Sequence, residues 1–337
     1  MHSFTRSRRR LFGMAAAVLV AAAGGPGAVL AAEPASAHFA GKTVKIVVPN
    51  AAGGTSDVLA RMIAPKLAEQ LGATVVVENK AGATGNLGAD FVAKAPADGL
   101  TLLLTDIGSL AIAPSVFAQL PFDPVKDFAP VALVAYSPHL LVVSPQLPVK
   151  DVRELVSLAK AKPGSVNFAI SGTGGANHLA GIEFALRTGL AWSYIPYKGG
   201  AQALNDVAAG QADVLFNGMV ATLPLVQGGK LKALAVSSAK RFSAAPGVPT
   251  VAEAAGLPGF ETGSYQGIAA PAGTPPAVVA TLHAAVTRIL ATQEVQARLA
   301  KMGAELRPGS PAEFGAFIRS EKDRWARVVK ESGAKFD

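Results

Sequence analysis

Val44-Lys45-Ile46-Val47-Val48-Pro49-Asn50-Ala51-Ala52-Gly53-Gly54-Thr55-Ser56-Asp57 is the stretch whose reading decides the fold. A β-branched run is stopped by Pro49, which has no amide hydrogen to give to a sheet ladder. Two glycines follow, then Thr55 and Ser56, residue types that cap helices. Val58, Leu59, Met62, Ile63 and Leu67 next recur at helical spacing. The stretch predicts a strand over Thr43–Val48, a glycine loop, and a helix over Thr55–Leu71.

Strand, loop and helix in that order form the unit of an α/β protein, where ligands bind beyond the carboxyl ends of strands. A helix N-terminus there offers free N–H groups and partial positive charge to an anion. Asn50, Ala51, Gly53, Gly54 and Thr55 are thus candidate ligand-binding residues. Taken alone, the loop also reads as an ordinary strand-to-helix turn with a Ser or Thr cap.

The pattern repeats outward. Strands are predicted at 74–78 and 101–105, with a helix at 86–94 between them. A second series begins at Leu140-Leu141-Val142-Val143. It runs through helices at 151–160, 177–188 and 201–209 and strands at 166–170, 192–195, 213–216 and 231–237. Pro246, Pro249, Pro258 and Gly259 punctuate a crossover. Helices at 276–290, 295–301 and Pro311–Ser332 form a tail expected to pack back on the first lobe. The alternation predicts open parallel sheets with helices on both faces, in two α/β lobes with a ligand cleft between them. Lobe 1 is expected over 38–138 and 260–337, and lobe 2 over 139–259.

Three more polar or glycine-bearing loops sit at strand ends. Ala81-Gly82-Ala83-Thr84-Gly85-Asn86 adds Thr84, Gly85 and Asn86 to the candidates, and Thr105-Asp106-Ile107-Gly108-Ser109 adds Thr105, Asp106 and Ser109. Ser171-Gly172-Thr173-Gly174-Gly175-Ala176-Asn177-His178 adds Ser171, Thr173, Gly174 and His178. The last loop has neither dinucleotide-fingerprint spacing nor the Lys-Ser/Thr of a phosphate loop. Such loops suit carboxylate capture by N–H and O–H donors.

Residues 1–31 read as a signal peptide: Arg6, Arg8, Arg9 and Arg10 precede an apolar run, with cleavage after Ala31 or Ala37. Ser7-Arg8-Arg9-Arg10-Leu11-Phe12 approximates a twin-arginine signal, with a Sec signal as the alternative, and either predicts a periplasmic protein. The net charge of +8 falls to +4 when these four arginines leave. With only 6% aromatic residues, the chain lacks a base-stacking surface, so no nucleic-acid partner is expected.

Catalytic and metal chemistry find little support. There is no cysteine, hence no thiol nucleophile or thiolate ligand. His38, His139, His178 and His283 form no H-x-x-H pair, so neither metal nor cofactor is expected. Gly263-Ser264-Tyr265-Gln266-Gly267 lacks the spacing of a nucleophile elbow. Lys198, in Pro196-Tyr197-Lys198-Gly199-Gly200, is a lone cation that reads either as a ligand contact or as a solvated lysine. Arg319, Lys322, Arg324, Arg327 and Lys330 alternate with acids and read as a solvated helix face.

Taken in order, these segments resemble the periplasmic solute receptors of tripartite tricarboxylate transporters, the Bug receptors. The resemblance includes Val75-Val76-Val77-Glu78-Asn79-Lys80, Ala97-Asp98-Gly99-Leu100-Thr101 and Leu120-Pro121-Phe122-Asp123-Pro124-Val125-Lys126-Asp127-Phe128. It continues through Ile195-Pro196-Tyr197-Lys198-Gly199, Gly210-Gln211-Ala212-Asp213 and Ala270-Pro271-Ala272-Gly273-Thr274-Pro275. It implies a two-lobe periplasmic-binding-protein fold of the Venus-flytrap, type II-like kind. It further implies a monomeric receptor, not an enzyme, that carries a small organic carboxylate to membrane transporter subunits. The carboxylate would be a di- or tricarboxylate or an aromatic acid, held by backbone amides and bridging waters from the loops above. Alternatives are a receptor feeding a signalling system and a periplasmic hydrolase. Asn50, Ala51 and Ala52 replace the aromatic and prolines usual after the first Pro, implying a more polar ligand. Asn217 stands where members often carry an acid that reads a ligand amine, which argues against an amino acid, and Tyr265 corresponds to a frequent Trp.

Overall fold

The structure is a computed structural model and describes residues 37–333 and Phe336. The predicted signal segment 1–31 lies outside the described residues. Strand β1 (Thr43–Val48) alternates as a doubly covered strand must. Val44, Ile46 and Val48 enter one apolar cluster with Leu59, Ile63 and Leu67 of helix α1 (Thr55–Leu71), and Val47 enters another on the opposite face. Strand β2 (Thr74–Asn79), helix α2 (Asn86–Ala93) and strand β3 (Thr101–Asp106) follow, and β1 pairs in parallel with β2 and β3. A π-helical turn at Gly108–Ile112 and the short α3 (Ala113–Val116) lead to β4 (Phe128–Val143), 16 residues long.

Beyond β4 come α4 (Val152–Ala161), β5 (Asn167–Ile170), α5 (Ala176–Thr188), β6 (Ser193–Pro196) and α6 (Gly200–Ala208). Strand β7 (Val214–Gly218), α7 (Met219–Gln227), β8 (Lys232–Val236) and α8 (Val251–Ala255) complete this half. The chain returns through β9 (Gly263–Pro271), α9 (Pro276–Ala291), α10 (Gln293–Met302), β10 (Glu305–Leu306) and α11 (Pro311–Ser332).

The strand order is β2-β1-β3-β9-β4-β7-β5-β6, with β10 and β8 also paired to β4. Strand β4 belongs to both lobes: it pairs with β9 as far as Pro138 opposite Gly263, and with β7 from His139 opposite Gly218. The alternation of strands and helices predicts parallel sheets, and both are mixed, because β4 and β9 insert antiparallel. The tail is not all helical either, since β9 fills the gap between β3 and β4. Helices cover both faces in the second lobe as in the first. Leu141, Phe168 and Phe216 pack toward α4 and α5, while Leu140, Val142 and Leu215 pack toward α6 and α7. Rings dominate the former cluster, with Phe168 and Trp192 centroids 5.3 Å apart. Among the described residues, no helix is long and apolar enough to cross a membrane.

Candidate ligand-binding cavity

The glycine loops at the ends of β1, β5, β6 and β7 share one design. Helices α1, α5, α6 and α7 begin behind Gly54, Gly175, Gly199 and Gly218, which have no side chain to cap them, although Val220 N in the first turn of α7 donates to Ser137 Oγ at 3.2 Å. Three helices that start elsewhere are capped conventionally, since Asp151 accepts from Glu154 N, Thr250 from Glu253 N and Ser310 from Glu313 N, while α2, α9 and α10 lack a side-chain cap. A helix's first N–H groups have no intrahelical partner, so an uncapped end holds its donors for something else. Gly54, Gly175, Gly200 and Gly218 all line one cavity of about 60 Å³. A water needs roughly 10–15 Å³ by such a measure, so the space suits a small organic group.

Close approach of the backbones makes the cavity. A Cβ on Gly218 would lie 2.6 Å from the Thr55 Oγ1, and one on Gly200 would lie 2.6 Å from the Asn217 Oδ1. No lysine or arginine lines the space. Its titratable groups are Asp106 and His139. Burial pushes the Asp106 carboxyl up, and the bond from Gly108 N at 2.8 Å only partly offsets this. Its partial accessibility is to the cavity it lines. Burial holds His139 down at about 3, so its ring is neutral, with Nδ1 3.1 Å from the Thr262 Oγ1.

Two amides have orientations fixed by their neighbours. Asn177 Oδ1 accepts from Ser171 Oγ at 2.9 Å and Ser171 N at 3.3 Å, which leaves its Nδ2, a buried donor, without a partner. Thr222 gives its hydroxyl proton to Gly218 O at 2.8 Å, so its oxygen accepts from Asn217 Nδ2 at 3.0 Å. Asn217 therefore presents Oδ1 toward Gly200. Gln266 donates through Nε2 to Ser264 Oγ, and its buried Oε1 lacks a partner, as does Asn50 Oδ1.

Of the candidates read from sequence, Asn50, Gly54, Thr55, Thr84, Asp106, Ser171 and Asn217 line this cavity. The remainder lie elsewhere. Ala51 packs against Gly199. Gly53 gives its N–H to Asp57 at 2.9 Å, a carboxylate that burial alone would raise but that bonds from Arg61, Gly53 and Asn79 together hold low. Gly85 packs on Ser109 and Pro49, while Asn86, Thr105 and Ser109 are buried behind the lining. Gly174 packs on Val116, and Thr173 accepts a bond from Thr84. His178 accepts from Gly174 N at 2.9 Å and lines a separate, apolar cavity of about 620 Å³ with Trp192, Tyr194 and Phe336. That cavity holds no uncapped helix start. Lys198 is exposed. Tyr265 points away because its neighbours Ser264 and Gln266 face the cavity and strand side chains alternate; its ring packs 4.7 Å from those of Tyr136 and Phe317.

His139, Ser264 and Gln266 also line the cavity, and the sequence reading did not single them out as contacts. The available signal was the pair of polar residues two apart in 263–267, read only as a failed nucleophile elbow.

The fold and sequence are similar to those of known proteins. A family model described as tripartite tricarboxylate transporter family receptor matches residues 59–334. Protein BugT of Bordetella pertussis is 37% identical over 247 residues, 73% of this chain and 76% of that protein. A protein from the tcbD-tcbE intergenic region of Pseudomonas sp. strain P51 is 35% identical over 72% of each chain. Among solved structures, Rhodopseudomonas palustris Rpa4515 with adipate aligns at a TM-score of 0.84 and 38% identity, covering 87% of this chain and 97% of that one. MatC from the same organism, with bound malate, aligns at 0.82 and 37%, covering 86% and 99%. The periplasmic binding protein BugD aligns at 0.84 and 36%, covering 87% and 98%.

Proposed function

Because this chain belongs to the tripartite tricarboxylate transporter receptor family, we propose that it is a periplasmic receptor which closes on a small organic carboxylate and presents it to membrane transporter subunits. The observation that carries the reading is the convergence of four uncapped helix N-termini on a cavity without lysine or arginine. Each contributes about half a positive charge in partial dipoles and first-turn N–H groups without an intrahelical partner, which suits a carboxylate without a counter-ion. The Asn177 Nδ2 adds a donor. The relatives solved with adipate and malate support the same ligand class.

The lobes are assigned to 38–138 with 260–337, and to 139–259. The partner exchange of β4 between Pro138 and His139 supports that division. Closure then replaces water around the ligand with fixed N–H donors, where each charge-assisted bond gains strength.

A thermal-shift panel on purified protein, stripped of ligand by unfolding and refolding, tests the proposal. Carboxylates at about 100 times their Kd add about 2.7 kcal/mol to stability, while sugars and nucleotides leave the melting point unmoved. A panel in which sugars or nucleotides act and no carboxylate does would overturn it.

A further inference from the structure

The donors just described fill only part of the cavity wall. A second group of lining atoms consists of acceptors, which a carboxylate does not satisfy. Asp106 and Gln266 are cross-strand partners in β3 and β9, and both line the space. Gln266 is fully buried with Oε1 unpartnered, because its Nε2 is committed to Ser264. Asn217 offers Oδ1, since its Nδ2 is committed to Thr222. Asn50, just past the end of β1, adds another unpartnered Oδ1.

Charge points the same way. His139 is neutral, and Asp106 is therefore the formal charge that the lining carries at neutral pH when ionised. A carboxylate buried in a cavity without a cation is costly, and no lysine or arginine lines this one. A dianionic ligand would add like charge beside it. A ligand that brings its own cation would pair with it and satisfy the amide oxygens as well, because an ammonium carries several N–H donors.

On the carboxylate reading above, we infer that the natural ligand is a carboxylate that also bears an ammonium group, seated with its carboxylate on the helix N-termini and its nitrogen against Asp106, Asn217 Oδ1 and Gln266 Oε1. The asparagine at 217 argued against such a ligand when only the sequence was considered. In the folded cavity Asp106 supplies the missing acid from a different strand, and Asn217 remains as a neutral acceptor.

The test is calorimetry with matched acids that differ in the amine: succinate against aspartate, glutarate against glutamate, propionate against alanine. The wild-type protein is expected to bind the amine-bearing member of at least one pair about tenfold or more tightly than its partner. In Asp106→Asn, which keeps shape and removes charge, that preference should fall to about twofold or less, through loss of the amine-bearing acid. Equal binding of both members, or preference for the plain acid, by the wild-type protein overturns the inference and leaves the carboxylate reading standing. The same holds if Asp106→Asn keeps the amine preference intact. Failure of every acid in all pairs overturns the inference, and the broader carboxylate panel above then decides the carboxylate reading.

Discussion

Thr84, in the cavity wall, and Thr173, 89 residues away in sequence, are joined: the Thr84 hydroxyl donates to the Thr173 carbonyl at 3.0 Å. The bond joins the loop after β2 to the loop after β5, one from each assigned lobe. Thr84 sits at φ 54, a left-handed conformation costing a residue with a Cβ about 1–2 kcal/mol. On the proposed division into lobes that close on a ligand, the contact belongs to the closed form, and strain is held there to make it.

Thr84→Ala should weaken carboxylate binding by about 2- to 10-fold, the worth of one hydrogen bond of roughly 0.5–1.5 kcal/mol. Thr84→Ser, which keeps the hydroxyl, should stay within about twofold. Surface plasmon resonance should place the difference in the dissociation rate. Equal affinities for the two variants would refute the latch.

Gly218 has ordinary extended φ and ψ, so alanine fits its backbone, yet the new methyl would lie 2.6 Å from the Thr55 Oγ1. Gly218→Ala should fold with little change in melting temperature and lose affinity by about tenfold or more, because the backbones of β7 and α1 can no longer approach. Small-angle scattering with ligand should show the variant more expanded than the wild type. Undiminished affinity would show that this approach is dispensable.

Asp106→Asn should stabilise the ligand-free protein at pH 7 by roughly 1 kcal/mol. Burial raises its native pKa, so the native state resists losing the proton that the unfolded chain gives up near pH 4. The penalty appears as pH rises through that value and is absent below it. Urea titrations should therefore separate variant and wild type at pH 7 and bring them together at pH 3.5. A gap that persists in acid would mean that charge burial is not the cause.

His139 and His178 predict the opposite slope. Burial depresses them to about 3 and about 4, below the ordinary 6.5. The unfolded chain takes up protons that the native state refuses, so stability present above pH 6.5 is lost as pH falls toward 4. Two such groups give a slope of up to about 2.7 kcal/mol per pH unit. His139→Asn should remove about half of it, measured by denaturant midpoints between pH 7 and pH 4.5. An unchanged slope would assign the acid sensitivity to other groups.

Much of the fold was legible because Val44, Ile46, Val47 and Val48 and their counterparts in β3 announce doubly covered strands, and glycine loops mark their ends. Strand β9 was not. Gly263-Ser264-Tyr265-Gln266-Gly267 lacks the β-branched residues of a strand, and its glycines serve other elements. A Cβ on Gly267 would strike the Phe314 ring of α11, and one on Gly263 would strike the Tyr136 ring. Pairing with β3 and β4 makes it a strand, a tertiary fact with no local signature.

The candidate site divides along the same line. Loops carrying Asn50, Thr84, Asp106 and Ser171 were found because helix starts beside glycine are visible in sequence. Which atom each residue turns inward depends on partners: Gly53 is taken by Asp57, and Tyr265 faces out because Ser264 and Gln266 face in. Lys198, the one cation among the candidate residues, is left at the surface.

A seat built from uncapped helix starts has a consequence for divergence. Main-chain amides survive every point substitution except one to proline, so on the carboxylate reading mutation can rewrite Asn50, Asp106 or Asn217 without dismantling the grip on the acid. Recognition of the ligand's common group is thereby insulated from changes that retune its remainder. On that reading, one scaffold can change what it carries by single steps, each variant still holding an acid.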